Sequence, residues 1–111
     1  MESKIKDWLE SQIENFPERA SGEDFFKFMI RQAGKVYETQ RADLIDTLRE
    51  WLQVRTSPRT PLAVDIASFY NLHELIPDIV DLRNAVRRGE AFKPYYENTI
   101  TKALEKIMGP N

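Results

Sequence analysis

The feature that most constrains this chain is a period of 34 residues in its C-terminal two-thirds. The dipeptide Leu48-Arg49 returns as Leu82-Arg83, and at the same offset Ile45 falls on Ile79 and Ile66 on Ile100. Apolar residues also coincide at Leu52 and Val86, Leu62 and Tyr96, and Tyr70 and Leu104. A repeat of this length, built on helical apolar spacing, is how helical hairpins stacked one on the next look in sequence. It bears on architecture and carries no chemistry of its own.

The spacing predicts six helices and no strand. Helix 1 runs from about Ser3 to Phe16, with Ile5, Trp8, Leu9, Ile13 and Phe16 on one face. It stops at Pro17, whose ring has no N–H to donate and disfavours helix at the residue before it. Ser21 then reads as an N-cap for helix 2, Gly22 to about Tyr37. Helix 3 covers about Gln40 to Arg55, with Leu44, Ile45, Leu48, Trp51 and Leu52 inward, and ends at Ser57-Pro58. Thr60-Pro61 is a start signal for helix 4, a hydroxyl cap followed by proline at the first helical position. Its apolar face is Leu62, Ile66, Ala67, Phe69 and Tyr70, and Asn71 can end it in the left-handed conformation. Helix 5 begins near His73 or Glu74 and closes at Arg87-Arg88-Gly89, cations at the negative terminus followed by a C-cap glycine. Helix 6 starts near Pro94 and ends at Gly109-Pro110.

Short connections make consecutive helices antiparallel. The expectation is an all-α single domain over residues 1–111: an N-terminal capping hairpin at 1–38 and two hairpins at 39–108. The arrangement is either a stack of hairpins or a compact helical bundle.

Twelve aromatics among 111 residues supply bulk for a core without metal or disulfide. Cysteine is absent, which removes thiolate chemistry and Cys-based zinc sites and fits a reducing compartment. No apolar run is long enough to span a bilayer, and MESKIKDWLE lacks the apolar core of a secretory signal. A cytoplasmic location is therefore expected. The net charge of −2 gives no broad attraction to nucleic acid.

The segment LHELIPDIVDLRNAVRRGEAFKPYYENTITKALEKI resembles a HEAT-type repeat. Leu75, Ile76, Pro77, Ile79 and Leu82 fit the A helix with its early proline, and Ile100, Ala103, Leu104 and Ile107 fit the B helix. PLAVDIASFYNL, from Pro61 to Leu72, looks like the B helix of the preceding unit, so the resemblance covers Ala42 to Met108. The period is shorter than that family's usual length, and the Trp…Leu-Gly…Tyr pattern of tetratricopeptide units is absent. The resemblance implies a binding or scaffolding role and brings no catalytic residues with it.

Chemistry-bearing constellations are sparse. His73 is the only histidine, too few for a histidine metal site. The glycines at 22, 34, 89 and 109 form no phosphate-cradling loop, and no serine sits in a nucleophile elbow. Asp78 and Asp81 are neighbours on helix 5, a pair whose ordinary fate is a solvated face with Arg83 and Arg55 available as partners. No cofactor, metal or catalytic residue is assigned, and the chain is expected not to be an enzyme.

The connections are more informative. The helix 3–4 loop carries Arg55 and Arg59, and the helix 5–6 loop carries Arg87, Arg88 and Lys93. In a stack of hairpins equivalent loops share one edge, so these five side chains are the candidate anion- or partner-binding residues. Phe92 and Tyr95 are close in sequence and suited to stacking. The simpler reading is that Arg87 and Arg88 cap helix 5 and Arg55 caps helix 3. Phe25, Phe26 and Phe28 cannot all face one way on helix 2, so one of them is a candidate exposed contact. Together these features point to a non-enzymatic interaction or adaptor module that binds a protein partner. The alternative is a protein that binds nucleic acid or another polyanion through the basic edge. Net charge argues against that alternative, since duplex binding requires several phosphate contacts.

Overall fold

Prolines and left-handed residues set the helix boundaries in the computed structural model, which describes residues 4–17 and 22–109. Among these residues there are six α-helices and no strand: α1 Lys4–Asn15, α2 Gly22–Tyr37, α3 Arg41–Val54, α4 Arg59–Phe69, α5 Ile76–Arg87 and α6 Tyr96–Met108. A single 3₁₀ turn, His73–Leu75, leads into α5. The all-α class read from the periodicity is what the chain adopts. Ser3, the Ser21 cap and Pro110 lie outside the described residues.

The chain divides into two units after Thr47, within α3. In the first, α1 packs on α2. Ile5 and Leu9 of α1 are buried, as are Met29, Ala33 and Val36 of α2, together with Leu44 and Ile45 at the start of α3. Phe16, beyond the end of α1, joins an aromatic cluster with the phenylalanines of α2. The Phe16 ring lies 5.2 Å from both Phe25 and Phe28, and Phe26 meets Phe25 edge-on at 5.7 Å. All three helix 2 phenylalanines are half-buried in this way, so none of them forms the exposed contact considered from the sequence.

The second unit is built around α4. Leu62, Ala63, Val64, Ile66 and Ala67 are each 0% exposed, which puts buried apolar atoms over more than half of the helix circumference. Such a helix is enclosed by neighbours rather than laid on one face. Leu48, Trp51 and Leu52 of α3, Leu72 and Leu75 before α5, Ile79, Leu82 and Val86 of α5, and Ile100, Leu104 and Ile107 of α6 complete the core. Each fully buried aliphatic side chain of this kind contributes about 1.5–3 kcal/mol. The single stripe expected for helix 4 is corrected on this point. Phe69, assigned inward, is 58% exposed at the helix end, whereas Ala63 and Val64, left out of the stripe, are buried.

The closures of α4 and α5 have one form. After α4, Asn71 takes φ 52°. The Leu72 N–H then reaches back to the Ala67 carbonyl at 2.9 Å and the Asn71 N–H to Ser68 at 3.3 Å. After α5, Gly89 takes φ 74°, with Glu90 N–H donating to Ala85 at 2.9 Å and Gly89 N–H to Val86 at 3.0 Å. This is the Schellman pattern, which satisfies the last carbonyls of a helix and redirects the chain.

Helix directions follow from the side-chain contacts. Arg87 at the end of α5 meets Glu97 at the start of α6, so these two run antiparallel. Helix α6 also lies along α4. Its Lys106 donates to the Ser68 carbonyl at the far end of α4, while Tyr96 at its start faces Asp65 nearer the α4 N-terminus. α4 and α6 therefore point the same way. On the other side Arg49 of α3 bonds the Asp78 carboxylate of α5 at 3.0 Å and the Glu74 carbonyl at 3.1 Å. The partner of Asp78 is thus Arg49, in place of the Arg83 or Arg55 considered from the sequence. One period apart, α4 packs on α6, and α3 reaches α5 through the Arg49 side chain.

Candidate functional site

Parallel α4 and α6 begin at the same end of their unit, which brings the α3–α4 and α5–α6 connections together. The first connection is fixed from within. Thr60, 0% exposed, donates its hydroxyl to the Trp51 carbonyl at 2.6 Å and accepts the Thr56 N–H at 3.1 Å. Thr60 therefore does not cap α4 as expected. It is the second residue of the helix, which starts at Arg59 with no side-chain cap, and its oxygen is used to tie the loop back onto α3. Arg55, just past the end of α3, takes φ 58°.

The second connection leaves α5 through Gly89 and reaches Phe92, at φ 54°. A bulky residue in this region of backbone space costs about 1–3 kcal/mol and persists only where its surroundings hold it. Here the Phe92 ring packs, tilted, at 5.2 Å against Tyr96, in the first turn of α6. The Tyr96 N–H bonds the Lys93 carbonyl at 2.9 Å, closing the turn.

Between the loops lies a cleft of about 270 Å³, open to solvent, whose walls are Ser57, Pro61, Phe92, Lys93, Tyr95 and Tyr96. Its surface is mostly apolar, from three aromatic rings and a proline. Tyr95 is 76% exposed, the most accessible large apolar side chain among the described residues. Lys93 is exposed on the same wall, and among the described residues no carboxylate pairs with it. Behind Tyr96, on α4, Asp65 is half-buried between Val64 and Ile66. Burial pushes its carboxyl up to about 6. Burial also raises the Tyr96 hydroxyl above its ordinary value, and the Asp65 charge adds to that rise.

The five basic residues divide into groups. Arg87 is bound to Glu97 at 2.5 Å and Arg88 to Glu90 at 2.9 Å. Glu90 lies within the electrostatic reach of Arg55 as well; its carboxyl is held below the ordinary value chiefly by the hydrogen bond from Arg88. The edge is therefore an alternation of arginines and glutamates rather than a uniformly basic rim. Arg55 is half-buried with its Nη1 enclosed and without a hydrogen-bond partner, and Arg59 is half-buried at the first position of α4. Lys93 alone of the five lines the cleft.

Phe92 and Tyr95 were visible as aromatic neighbours of the basic loop, but Tyr96 reads in sequence as a core position of helix 6. In the structure it is half-buried, one side toward Asp65 and the other forming cleft wall. Asp65 reads in sequence as one of three carboxylates, with Asp78 and Asp81, on or near helical faces, and it stands alone in an apolar run. Exposed His73 lies in the 3₁₀ turn, away from the cleft walls. Among the described residues no group of three or more His, Asp or Glu is placed to hold a metal ion, and no helix is long and apolar enough to cross a membrane. Comparison with protein-family models, with curated proteins and with solved structures finds no match to this chain.

Proposed function

We propose that this chain is a non-enzymatic interaction module that binds a protein partner at the loop edge of its C-terminal unit. The observation that carries the reading is the cleft itself: two connections one sequence period apart meet at one end of α4 and α6 and form an open aromatic surface beside a lysine that, among the described residues, no carboxylate pairs with. An exposed tyrosine between apolar walls is the composition enriched at protein contact sites. The side-by-side placement of α4 with α6, and the Arg49 link from α3 to α5, support treating residues 42–108 as HEAT-like stacked hairpins, an architecture that binds other chains along its surface. The glutamates interleaved among the arginines weaken the case for a polyanion.

Affinity capture with the wild-type chain and with a Lys93→Glu/Tyr95→Ala double variant of unchanged helicity tests the reading. A protein retained by the wild type and lost from the variant is the expected result. Equal retention by both, or by neither, overturns it. Salt-sensitive retention of nucleic acid on a filter, lost with Lys93→Glu, favours the polyanion reading instead.

A further inference from the structure

Taking the loop edge as the partner-binding site, we infer that the cleft holds an extended proline-containing segment, its ring stacked on the Phe92–Tyr95–Tyr96 wall and an acidic residue beside it paired with Lys93. Size comes first. At about 270 Å³ the cleft is short of the roughly 300–1,000 Å³ of sites that enclose a cofactor or drug-sized ligand, and suits one or two side chains of a longer chain. Its openness to solvent excludes the deep enclosure that a buried aromatic anchor requires. A shallow trough of aromatic rings is the surface that polyproline II segments use, because such segments arrive already extended and lose little conformational freedom on docking.

Hydrogen-bonding capacity agrees. A polyproline II backbone has no internal hydrogen bonds and presents free carbonyls. The cleft wall includes two exposed hydroxyl-bearing residues, Ser57 and Tyr95, as donors for such carbonyls.

Charge selects among the remaining guests. Three aromatic rings also suit a methylated ammonium, but Lys93 is the one charged residue in the wall, and it opposes a cation. Glu90 of the same loop and Glu97 of α6 are held by Arg88 and Arg87, and among the described residues no carboxylate pairs with Lys93. The complement is a carboxylate next to the proline. The left-handed Phe92 supports the assignment, since a bulky ring held in an unfavourable conformation at a cleft wall is the kind of strain that accompanies ligand clamps.

Nitrogen–proton correlation spectra of the full chain, titrated with synthetic ten-residue peptides, test this. One peptide carries two prolines flanked by glutamates; a second has alanine for proline; a third has lysine for glutamate; a fourth carries trimethyllysine in place of the prolines. The first should move the amides of Ser57, Phe92, Lys93, Tyr95 and Tyr96, and the others should bind about threefold to tenfold more weakly, the range of one surface ion pair or one stacked ring. Lys93→Glu should reverse the preference between the first and third peptides. Equal or tighter binding of any of the other three, shifts confined to residues away from the cleft, or no shift with millimolar peptide overturns the inference. If any of these occurs while the Lys93→Glu/Tyr95→Ala variant still loses its captured partner, the cleft remains the contact site and only the ligand chemistry is wrong. If capture is also unaffected, both fall.

Discussion

Replacing Asp65 with asparagine removes a charge from the most apolar helix of the chain while keeping the side chain's shape. Asp65 follows Val64 and precedes Ile66, both 0% exposed, and among the described residues neither a hydrogen bond nor an ion pair reaches its carboxylate. Its carboxyl titrates at about 6 in the folded chain against an ordinary 3.8, through burial. The folded value is the higher one, so the folded state holds the proton more tightly than the unfolded state does. The penalty is absent below about pH 4, grows between pH 4 and about 6, and is constant above that. At about 1.36 kcal/mol per tenfold step the full difference is ~3 kcal/mol; the side chain is part-exposed, and solvent screening brings this to ~1.5 kcal/mol. Asp65→Asn should therefore stabilise the protein by ~1.5 kcal/mol near pH 7.5, raising Tm by roughly 5 °C, and have little effect near pH 4. Urea unfolding followed by circular dichroism at both pH values measures it. An advantage of equal size at the two pH values, or a loss of stability at the higher one, refutes the argument from burial.

Three further outcomes follow from particular contacts. Thr60→Val preserves shape but leaves the Trp51 carbonyl and Thr56 N–H without their buried partner, and should lower unfolding stability by ~2 kcal/mol in the same denaturation assay. At position 92 both Phe92→Gly and Phe92→Ala lose the ring, but only glycine accepts φ 54° without strain, so the glycine variant should melt later by an equivalent of ~1 kcal/mol. Arg49→Met strips Asp78 of its partner at a site where that side chain is 17% exposed; the expected loss is ~1.5 kcal/mol at low salt, and the gap to wild type should narrow when unfolding is repeated at high salt.

Helix ends were the most legible part of the sequence. Pro17 and Ser57-Pro58 interrupt helix for reasons local to the proline ring, and Asn71 and Gly89 supply the left-handed conformation that a Schellman closure demands. The breadth of the buried face of α4 was not legible. A periodicity argument finds one apolar stripe, whereas Ala63 and Val64 are inward only because neighbours stand on more than one side of the helix. Thr60 misled for a similar reason: Thr-Pro is a sound local start signal, but a buried carbonyl nine residues earlier competes for its hydroxyl and wins. The chemistry of the edge where the two loops meet was not legible in the 34-residue period. Arg87 and Glu97 are ten residues apart with a turn between them, a spacing at which no helical rule pairs charges. The carboxylate behind Tyr96 likewise comes from another helix, through the parallel run of α4 and α6.

The way the two connections are tied down has a kinetic corollary. One is pinned by the Thr60 hydroxyl and the other by the Gly89 closure and the Lys93–Tyr96 turn. A receptor surface already rigid when its guest arrives sacrifices little disorder on capture, and the shape it offers does not wait on a rearrangement. On the proposed function, a partner docking there should assemble at the speed of encounter, and selectivity among partners should reside in how long each one stays.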